Sequence, residues 1–572
     1  MLCLLLGRVA YAEPVVREGY LVVPFENEAA IRSLDWMAPA LAVTLAEQLE
    51  AQPGLQPAYG SSILEGFGAK FDSLRIADRA RDLGARWVVS GGFARPNWKA
   101  EIKLRLYQVV TDGPLPDLKL VAQAGAIGER TALIQVLDQA LGELLKRQGW
   151  LPELPGGEQI LRVPTKDLYA MTLYGRALNL LYGYGGPIDL SGAEKLFQRV
   201  TAIDPKFAEA HRMLAMVAEE RHELGKAMLH YARALDLRPG YYPVLAGLAR
   251  LSRERRERAI ELAARALEVR PSDVEMRFLL GDLEWEAGEL DKALADLTLV
   301  TAAQPGHLRA RRTLALVYAA RGATSELATE LEKIAALQPD DLDVRMDLGG
   351  AYARLGKHEQ ALAAYEEVLK RQPRNAQVVK FAGDLYRQVG DQDRAIAAYS
   401  KLRNLVPDDP RPYFLLGATY LAAGNDLKAE QVLQEAQQFH RHVGEAWTDL
   451  GAIAFRRGDL SKATWYLSRA VQRAPTRPKA HFNYALLLNA TKQRERALGE
   501  LKVAAELDPE DAQAHYLAGV IHLRMGKLEE AKQAFLAALK RKPDHADAKF
   551  NLGLLEELER RYGAERAGVG SQ

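Results

Sequence analysis

The chain has 572 residues, with 76 Lys and Arg against 75 Asp and Glu and a net charge of +1. That balance leaves no long-range field to gather nucleic acid, so nucleic acid is not an expected partner. The single cysteine, Cys3, excludes a disulfide within the chain and a thiolate metal site built from several cysteines.

Residues 1–12 open with the apolar run Met1–Leu6 and close with Ala10-Tyr11-Ala12 ahead of Glu13, a small-x-small cleavage pattern. No basic stretch precedes the apolar run, and Arg8 interrupts its end. The segment reads as a signal peptide whose beginning is missing; the other reading is an ordinary apolar strand. No later apolar stretch approaches the roughly 18 residues needed to span a membrane, so no integral membrane segment is expected.

From residue 15 to 150 strands and helices alternate. Tyr20–Phe25 (YLVVPF) is an apolar run of strand length, and Trp36–Glu50 carries Leu41, Leu45 and Leu49 at helical spacing. Leu74–Leu83 predicts a second helix and Trp87–Ser90 a buried strand. Ile102, Leu104, Leu106 and, with some drift, Val109 alternate with polar residues over Glu101–Thr111. Leu118–Ala126 is expected to pair with that strand through a turn at Gly113-Pro114, and Thr131–Gln148 reads as an amphipathic helix. This is the pattern of a compact α/β domain. Leu151–Lys166, with Pro152, Pro155, Gly156, Gly157 and Pro164, reads as a linker.

Beyond it the prolines become periodic. Pro271, Pro305, Pro339, Pro373 and Pro407 stand 34 apart, Arg441 takes the next beat, and Pro475, Pro509 and Pro543 resume it. Pro205 and Pro239 extend the series upstream. A strict period marks a stack of equal units in which each buries its core against its neighbours. Eleven units are expected: 167–205, 206–239, 240–271, 272–305, 306–339, 340–373, 374–407, 408–441, 442–475, 476–509 and 510–543. Gly349, Gly383, Gly417, Gly451 and Gly519 recur at one position, and Ala361, Ala395, Ala429, Ala463, Ala497 and Ala531 at another. Both places call for close helix approach. Tyr352, Tyr386 and Tyr420 fill the space between helices, Gly356 and Gly424 close the turns, and Asp340 and Asp408 offer N-caps. The first unit carries an insertion around Gly183–Pro187, expected to protrude. The third is short by two residues in the turn Arg253–Arg258, and the fifth has Leu327 at the small-residue place. Residues 544–562 predict a capping helix with Leu552, Gly553 and Leu555 toward the stack and its glutamates and arginines toward water. Residues 563–572 read as disordered.

Leu348-Gly349, Tyr352, Ala361, Tyr365 and Pro373 match the pattern W-x2-L-G-x2-Y, A-x3-F, P, as do Trp447, Leu450-Gly451, Ala463, Leu467 and Pro475. The array therefore resembles the tetratricopeptide repeat (TPR) family. The resemblance implies a mainly α protein, a right-handed α-solenoid of about eleven helix pairs preceded by a small α/β domain. YLVVPFEN at Tyr20–Asn27, IADRARDLGARWVVSGGF at Ile76–Phe93 and IKLRLYQVVTDG at Ile102–Gly113 resemble the amino-terminal α/β module of TolB and its relatives. That likeness implies an adaptor for protein contacts. The cyclase, kinase or DNA-binding domains that often accompany the module have no counterpart here.

No catalytic constellation is found, and no cofactor is expected. Gly91-Gly92 lacks a P-loop lysine, and neither a G-x-S-x-G elbow nor an H-E-x-x-H motif occurs. His440 and His442 fall at a repeat junction. His481 and His515 share one slot of adjacent repeats, the slot of Trp447, where packing is expected rather than ligation. The arginine runs Arg250–Arg258 and Arg309–Arg312 read as solvated faces, with docking of an acidic partner as the alternative. In the TPR family the first helix of each pair lines the concave surface, chiefly at its second, fifth, ninth and twelfth positions. Carried onto this sequence, that register picks out Phe278, Arg309, Arg312, Lys380, Arg411, Phe414, Phe455, Lys479, Phe482, Tyr516 and Phe550, with Asn483 beside them. Aromatic anchors flanked by basic groups suit peptides or helices as ligands. The expected function is a non-enzymatic protein-interaction scaffold of the bacterial cell envelope, periplasmic, with other proteins as partners. The alternative is a cytoplasmic regulatory adaptor related to cyclase- or regulator-linked proteins.

Overall fold

The computed structural model describes residues 18–49, 55–57, 72–95, 99–111, 115–148, 164–184, 186–439 and 444–569. The expected signal segment, most of the linker, the Gly113-Pro114 turn and the pair His440 and His442 lie outside the described residues. Contacts divide the chain into two compact units, one up to Val317 and one from Tyr318. The division falls within the fifth helix pair, the one in which Leu327 replaces the small residue.

The first unit begins with a mixed sheet. Its strands are β1 (Glu18–Val22), β2 (Glu26–Asn27), β3 (Leu55–Pro57), β4 (Trp87–Ala94), β5 (Ala100–Val110) and β6 (Asp117–Gly128). The order is β3-β1-β4-β5-β6, with β2 extending the pairing along β4. β1 is parallel to β3 and β4, whereas β4, β5 and β6 run antiparallel. Helices α1 (Met37–Leu49) and α3 (Leu133–Gln148) cover one face, and α2 (Ser73–Asp82) covers the other. This sandwiching explains the unbroken apolar run at β1: Tyr20 and Val22 join the core under α1 and α3, and Leu21 and Val23 the core under α2. It also explains the drift along β5. Ile102, Leu104 and Leu106 face one layer, while Tyr107 and Val109 pack with the layer under α2. Gly91 and Gly92 lie inside β4 for steric reasons, since a Cβ would stand 2.3 Å from the Phe25 ring at the first and 2.3 Å from the Glu28 carboxylate at the second.

The α/β core does not end at the expected linker. Its apolar cluster runs on through Met171, Tyr174, Leu178, Phe197 and Phe207 of the first helix pairs. Gly175 permits this contact, because a Cβ there would meet the Trp36 carbonyl oxygen at 2.3 Å. In the insertion of the first pair Gly186, Pro187 and Ile188 are exposed as expected, and Tyr184 is the exception. Gly183 takes a left-handed turn (φ 66°) and Tyr184 folds inward, buried, with its hydroxyl 3.5 Å from the Phe25 carbonyl. A tyrosine has more apolar area to bury than a loop has reason to extend.

Eleven antiparallel helix pairs follow among the described residues, from Leu168–Tyr182 with Leu190–Ile203 to Ala512–Arg524 with Leu528–Arg541, and a last helix covers Ala546–Val569. The glycines at the recurrent position are fixed by space. A Cβ on Gly349, Gly383, Gly417, Gly451 or Gly519 would stand 2.5–2.9 Å from Tyr365, Tyr399, Leu433, Leu467 or Phe535 of the paired helix. The recurrent alanines opposite, from Ala361 to Ala531, are wholly buried. Tyr352, Tyr386 and Tyr420 fill the gap as expected, each with a cation from the start of the second helix or the residue before it over its ring: Lys357, Arg394 and Lys428.

Several local expectations are corrected. Asp341, and not Asp340, caps its helix: it accepts from the Asp343 and Val344 amides, while Asp340 pairs outward with Arg371. In the eighth pair Pro410 is the N-cap, without a side-chain acceptor, and Asp409 before it accepts from the Arg411 amide. In the last helix Gly553 faces solvent, while Leu555 is buried. That helix continues to Val569, beyond the expected end at 562 and into the stretch expected to be disordered. Ala564, Glu565, Arg566 and Ala567 are strong helix formers, and one glycine at 563 does not stop a helix.

Gly451→Ala should lower the urea midpoint by an amount corresponding to about 1–3 kcal/mol, since the new methyl enters Leu467. Gly553→Ala, where a Cβ meets nothing within 4 Å, should leave the midpoint unchanged or raise it by up to about 1 kcal/mol.

Candidate functional site

Each first helix that follows a repeat proline begins three residues after it, or four after Pro407, which fixes the register of its exposed face. In the first unit Phe278 is 8 % exposed, against the His307 ring at 4.9 Å and beneath the Arg309 guanidinium at 4.8 Å. Arg309 also bonds Glu275 at 2.7 Å. Phe278 is thus a packing residue between adjacent pairs, and Arg309 covers it. Arg312 is exposed.

In the second unit the cations of the face are tethered locally. Lys380 pairs with Asp384 (2.7 Å), Arg411 with Asp409 (2.6 Å) and Lys479 with Asp449 (2.9 Å). Phe414, Phe455 and Phe482 are half-buried on the core beneath them, and Asn483 is half-buried beside Phe482. Tyr516 is held from several sides. Its ring meets His545 at 4.7 Å and Phe535 at 6.0 Å, and its hydroxyl lies 3.5 Å from the Asn551 amide nitrogen. Phe550 stands in the open, 72 % exposed, with Leu554 one turn on. Leu486, Val520 and Leu523 occupy the same register, and reading the sequence for aromatic and basic residues alone passes them over.

The slot shared by His481 and His515 has a second use besides packing. His481 is buried, with Nε2 3.0 Å from the Pro475 carbonyl and Nδ1 2.6 Å from Glu500. The same reach of six residues recurs: His211 to Pro205, Arg277 to Pro271, Arg311 to Pro305 and Arg345 to Pro339. In these five units the slot supplies a side-chain donor for the carbonyl left unpaired where the second helix ends. His515 does not: its Nε2 has no partner among the described residues, and the Pro509 carbonyl accepts from Arg541. Arg311 is therefore a buried structural residue and not part of a solvated run. In the other arginine run, Arg253 pairs with Asp282 and Glu286.

At the second-helix side of the eighth and ninth pairs the sequence analysis missed an aromatic and basic cluster. Trp465, Arg469 and Arg473 stand four apart on one helix, a spacing visible in the sequence. The Trp447 and Trp465 rings lie 5.1 Å apart, and both arginines lie over the Trp447 ring at 5.6 Å.

Glu284 is a buried carboxyl, 4 % exposed, at the position where the sixth to eighth repeats carry tyrosine. Burial, and secondarily the neighbouring Asp296 carboxylate, pushes its pKa up to about 7. Among the described residues no group of three or more His, Cys, Asp or Glu is placed to hold a metal, and no helix is long and apolar enough to cross a membrane.

A stack of helix pairs with a small residue at each crossing defines a helical-repeat protein. A model of the tetratricopeptide repeat matches residues 189–242, 244–307, 328–376, 346–410, 382–442 and 516–571, together about half of the chain. The chain belongs to the tetratricopeptide repeat family. A model of anaphase-promoting complex, cyclosome, subunit 3 matches residues 456–538. The TPR repeat-containing thioredoxin TTL4 of Arabidopsis thaliana is 32% identical over 97 residues, 17% of this chain and 14% of that protein. Anaphase-promoting complex subunit 3 of Schizosaccharomyces pombe is 29% identical over 126 residues, 22% of this chain and 19% of that protein. The chain thus spans less than a fifth of either curated relative. Among solved structures, yeast Tom70 aligns with 69% of this chain and 97% of its own, at 15% identity and a TM-score of 0.36. TPR proteins act as protein-interaction scaffolds.

The Glu284 carboxyl gives a pH signature. The folded chain keeps its proton up to about pH 7, whereas the unfolded chain releases it in the ordinary glutamate range. Stability therefore falls as pH rises through that window. Glu284→Gln should match wild type near pH 5 and exceed it at pH 8 by about 1–3 kcal/mol in urea unfolding.

Proposed function

We propose that this protein is a non-enzymatic interaction scaffold of the bacterial cell envelope that holds a peptide or helix of a partner along the first-helix face of its carboxyl-terminal repeats. The observation that carries the reading is the run of Phe414, Phe455, Phe482 and Phe550 at groove positions, with Phe550 72 % exposed. Aromatic side chains supply large contact area at little entropic cost. The tethered cations Lys380, Arg411 and Lys479 flank them and orient acidic groups of the partner. Residues 15–150, with their TolB-like motifs, serve as a second contact module. The Ala10-Tyr11-Ala12 pattern favours a periplasmic location.

The test places a photo-crosslinking amino acid at position 550 or 482 in the native cell, with Leu536 on a second helix as control position. Adducts with envelope proteins in the periplasmic fraction are expected from 550 and 482 and not from 536. Phe550→Ala should then reduce capture of the same partner about tenfold, an anchor's worth of contact, at unchanged helicity. Tyr516→Ala should instead lower the melting temperature, because that ring packs. Equal adducts from all positions, or undiminished capture by Phe550→Ala, would sink the groove; adducts only with cytoplasmic proteins would sink the location.

A further inference from the structure

We propose that the second-helix side of the eighth and ninth pairs carries a separate site for a carboxylate of a peptide, anchored by Arg469. A cavity of about 570 Å³ opens between the helices Asp426–Phe439 and Leu460–Arg473, walled by Gln431, Gln434, Gln437, Trp447, Arg469 and Arg473. Its volume lies within the usual range for small-ligand clefts and holds a short stretch of peptide.

The charges around it decide the ligand. Glu435, the acid in the wall, is taken by Arg403 at 3.1 Å. Arg456 is paired with Asp426 (2.8 Å), and Arg457 with Glu430. Arg469 differs from these. Its guanidinium lies 4.8 Å from the Trp465 ring centre and 5.6 Å from that of Trp447, with no carboxylate partner among the described residues. Stacking on two indoles fixes the plane of the group and leaves its N–H edge for an acceptor. A carboxylate fits that edge with two parallel hydrogen bonds. Gln431 and Gln437 each bring a neutral amide able to donate or accept, while the Gln434 amide already donates to Glu430 at 3.2 Å. The Trp447 indole N–H is buried and without an acceptor among the described residues. Among the described residues two cations, Arg469 and Arg473, line the cavity, a charge that suits one carboxylate. Trp465, 47 % exposed, forms an apolar lip for the neighbouring residue of the peptide.

The test uses the full chain and three fluorescein-labelled peptides in fluorescence polarisation at low ionic strength: hexaglutamate amide, hexaglutamine amide and hexaglutamine with a free carboxyl terminus. Tighter binding of hexaglutamate amide than of hexaglutamine amide assigns the site to acidic side chains. Binding of the free-acid hexaglutamine assigns it to a chain terminus. In either case Arg469→Gln should weaken binding about tenfold, the loss of a charge-assisted pair. Arg469→Lys should fall between the two, since it keeps the charge and loses the fork. Leu536→Ala, at an exposed second-helix position outside both sites, should bind as wild type, and the crosslinks from positions 482 and 550 are read separately, so failure here and failure of the groove are distinguishable. Equal or absent binding of all three peptides overturns the proposal, as does full affinity in both Arg469 variants with unchanged circular dichroism.

Discussion

The repeat array depends on one steric constraint. Within a pair, two helices approach until the side chain at the eighth position of the first has no room. Gly451 faces Leu467 and Gly519 faces Phe535, each at a distance no Cβ tolerates. The buried alanines on the second helix keep the same separation from the other side. Close approach lets large residues such as Tyr399 and Phe535 reach across the crossing and fill it. The core of every pair is thus made from few positions, and the remaining positions of each helix are released from packing. That release is what allows one scaffold to carry different surfaces.

A second constraint acts where pairs join. The second helix ends at a proline, and its last carbonyls need donors that no further turn of helix can supply. The side chain six residues on provides one, from His211, Arg277, Arg311, Arg345 or His481. This accounts for basic residues inside an apolar slot, which look anomalous when the slot is read as packing alone. Other units fill the slot with Val379, Tyr413 or Trp447, and the Trp447 ring turns to Trp465 and the arginines. One slot thereby serves either a backbone carbonyl or a packed ring.

Much of this was legible in the sequence, because spacing carries it. The glycine and alanine positions, the turns at Gly356 and Gly424, and four strands and three helices of the first 150 residues follow from period and residue type, whereas the short strands Glu26–Asn27 and Leu55–Pro57 carry no pattern of their own. What was not legible depends on neighbours distant in the chain. Val109 drifts out of phase on paper because its strand has two covered faces. Tyr184 sits in an insertion, and only the nearness of Phe25 turns it inward. Asp341 caps where Asp340 was expected, since an aspartate pair gives no hint of which carboxylate points back at the helix. Phe278, Tyr516 and Phe550 share one register position, yet the first is buried, the second wedged and the third exposed. Register alone cannot separate them, because the difference lies in what the next helix places above: His307 and Arg309, His545, or no further helix among the described residues.

The same distinction bears on what each face of the second unit offers a ligand. On the first-helix face the cations are held by acids of their own or the neighbouring helix, so their charge is largely satisfied before any partner arrives. Exposed pairs of this kind contribute little to affinity and more to orientation. Affinity on that face must come from aromatic area. On the second-helix side the order is reversed. Indole rings hold Arg469 in place without neutralising it, because a π face attracts the cation and leaves its hydrogen-bonding edge unspent. Under the proposed reading the two surfaces select by different physics, one by apolar contact and one by charge.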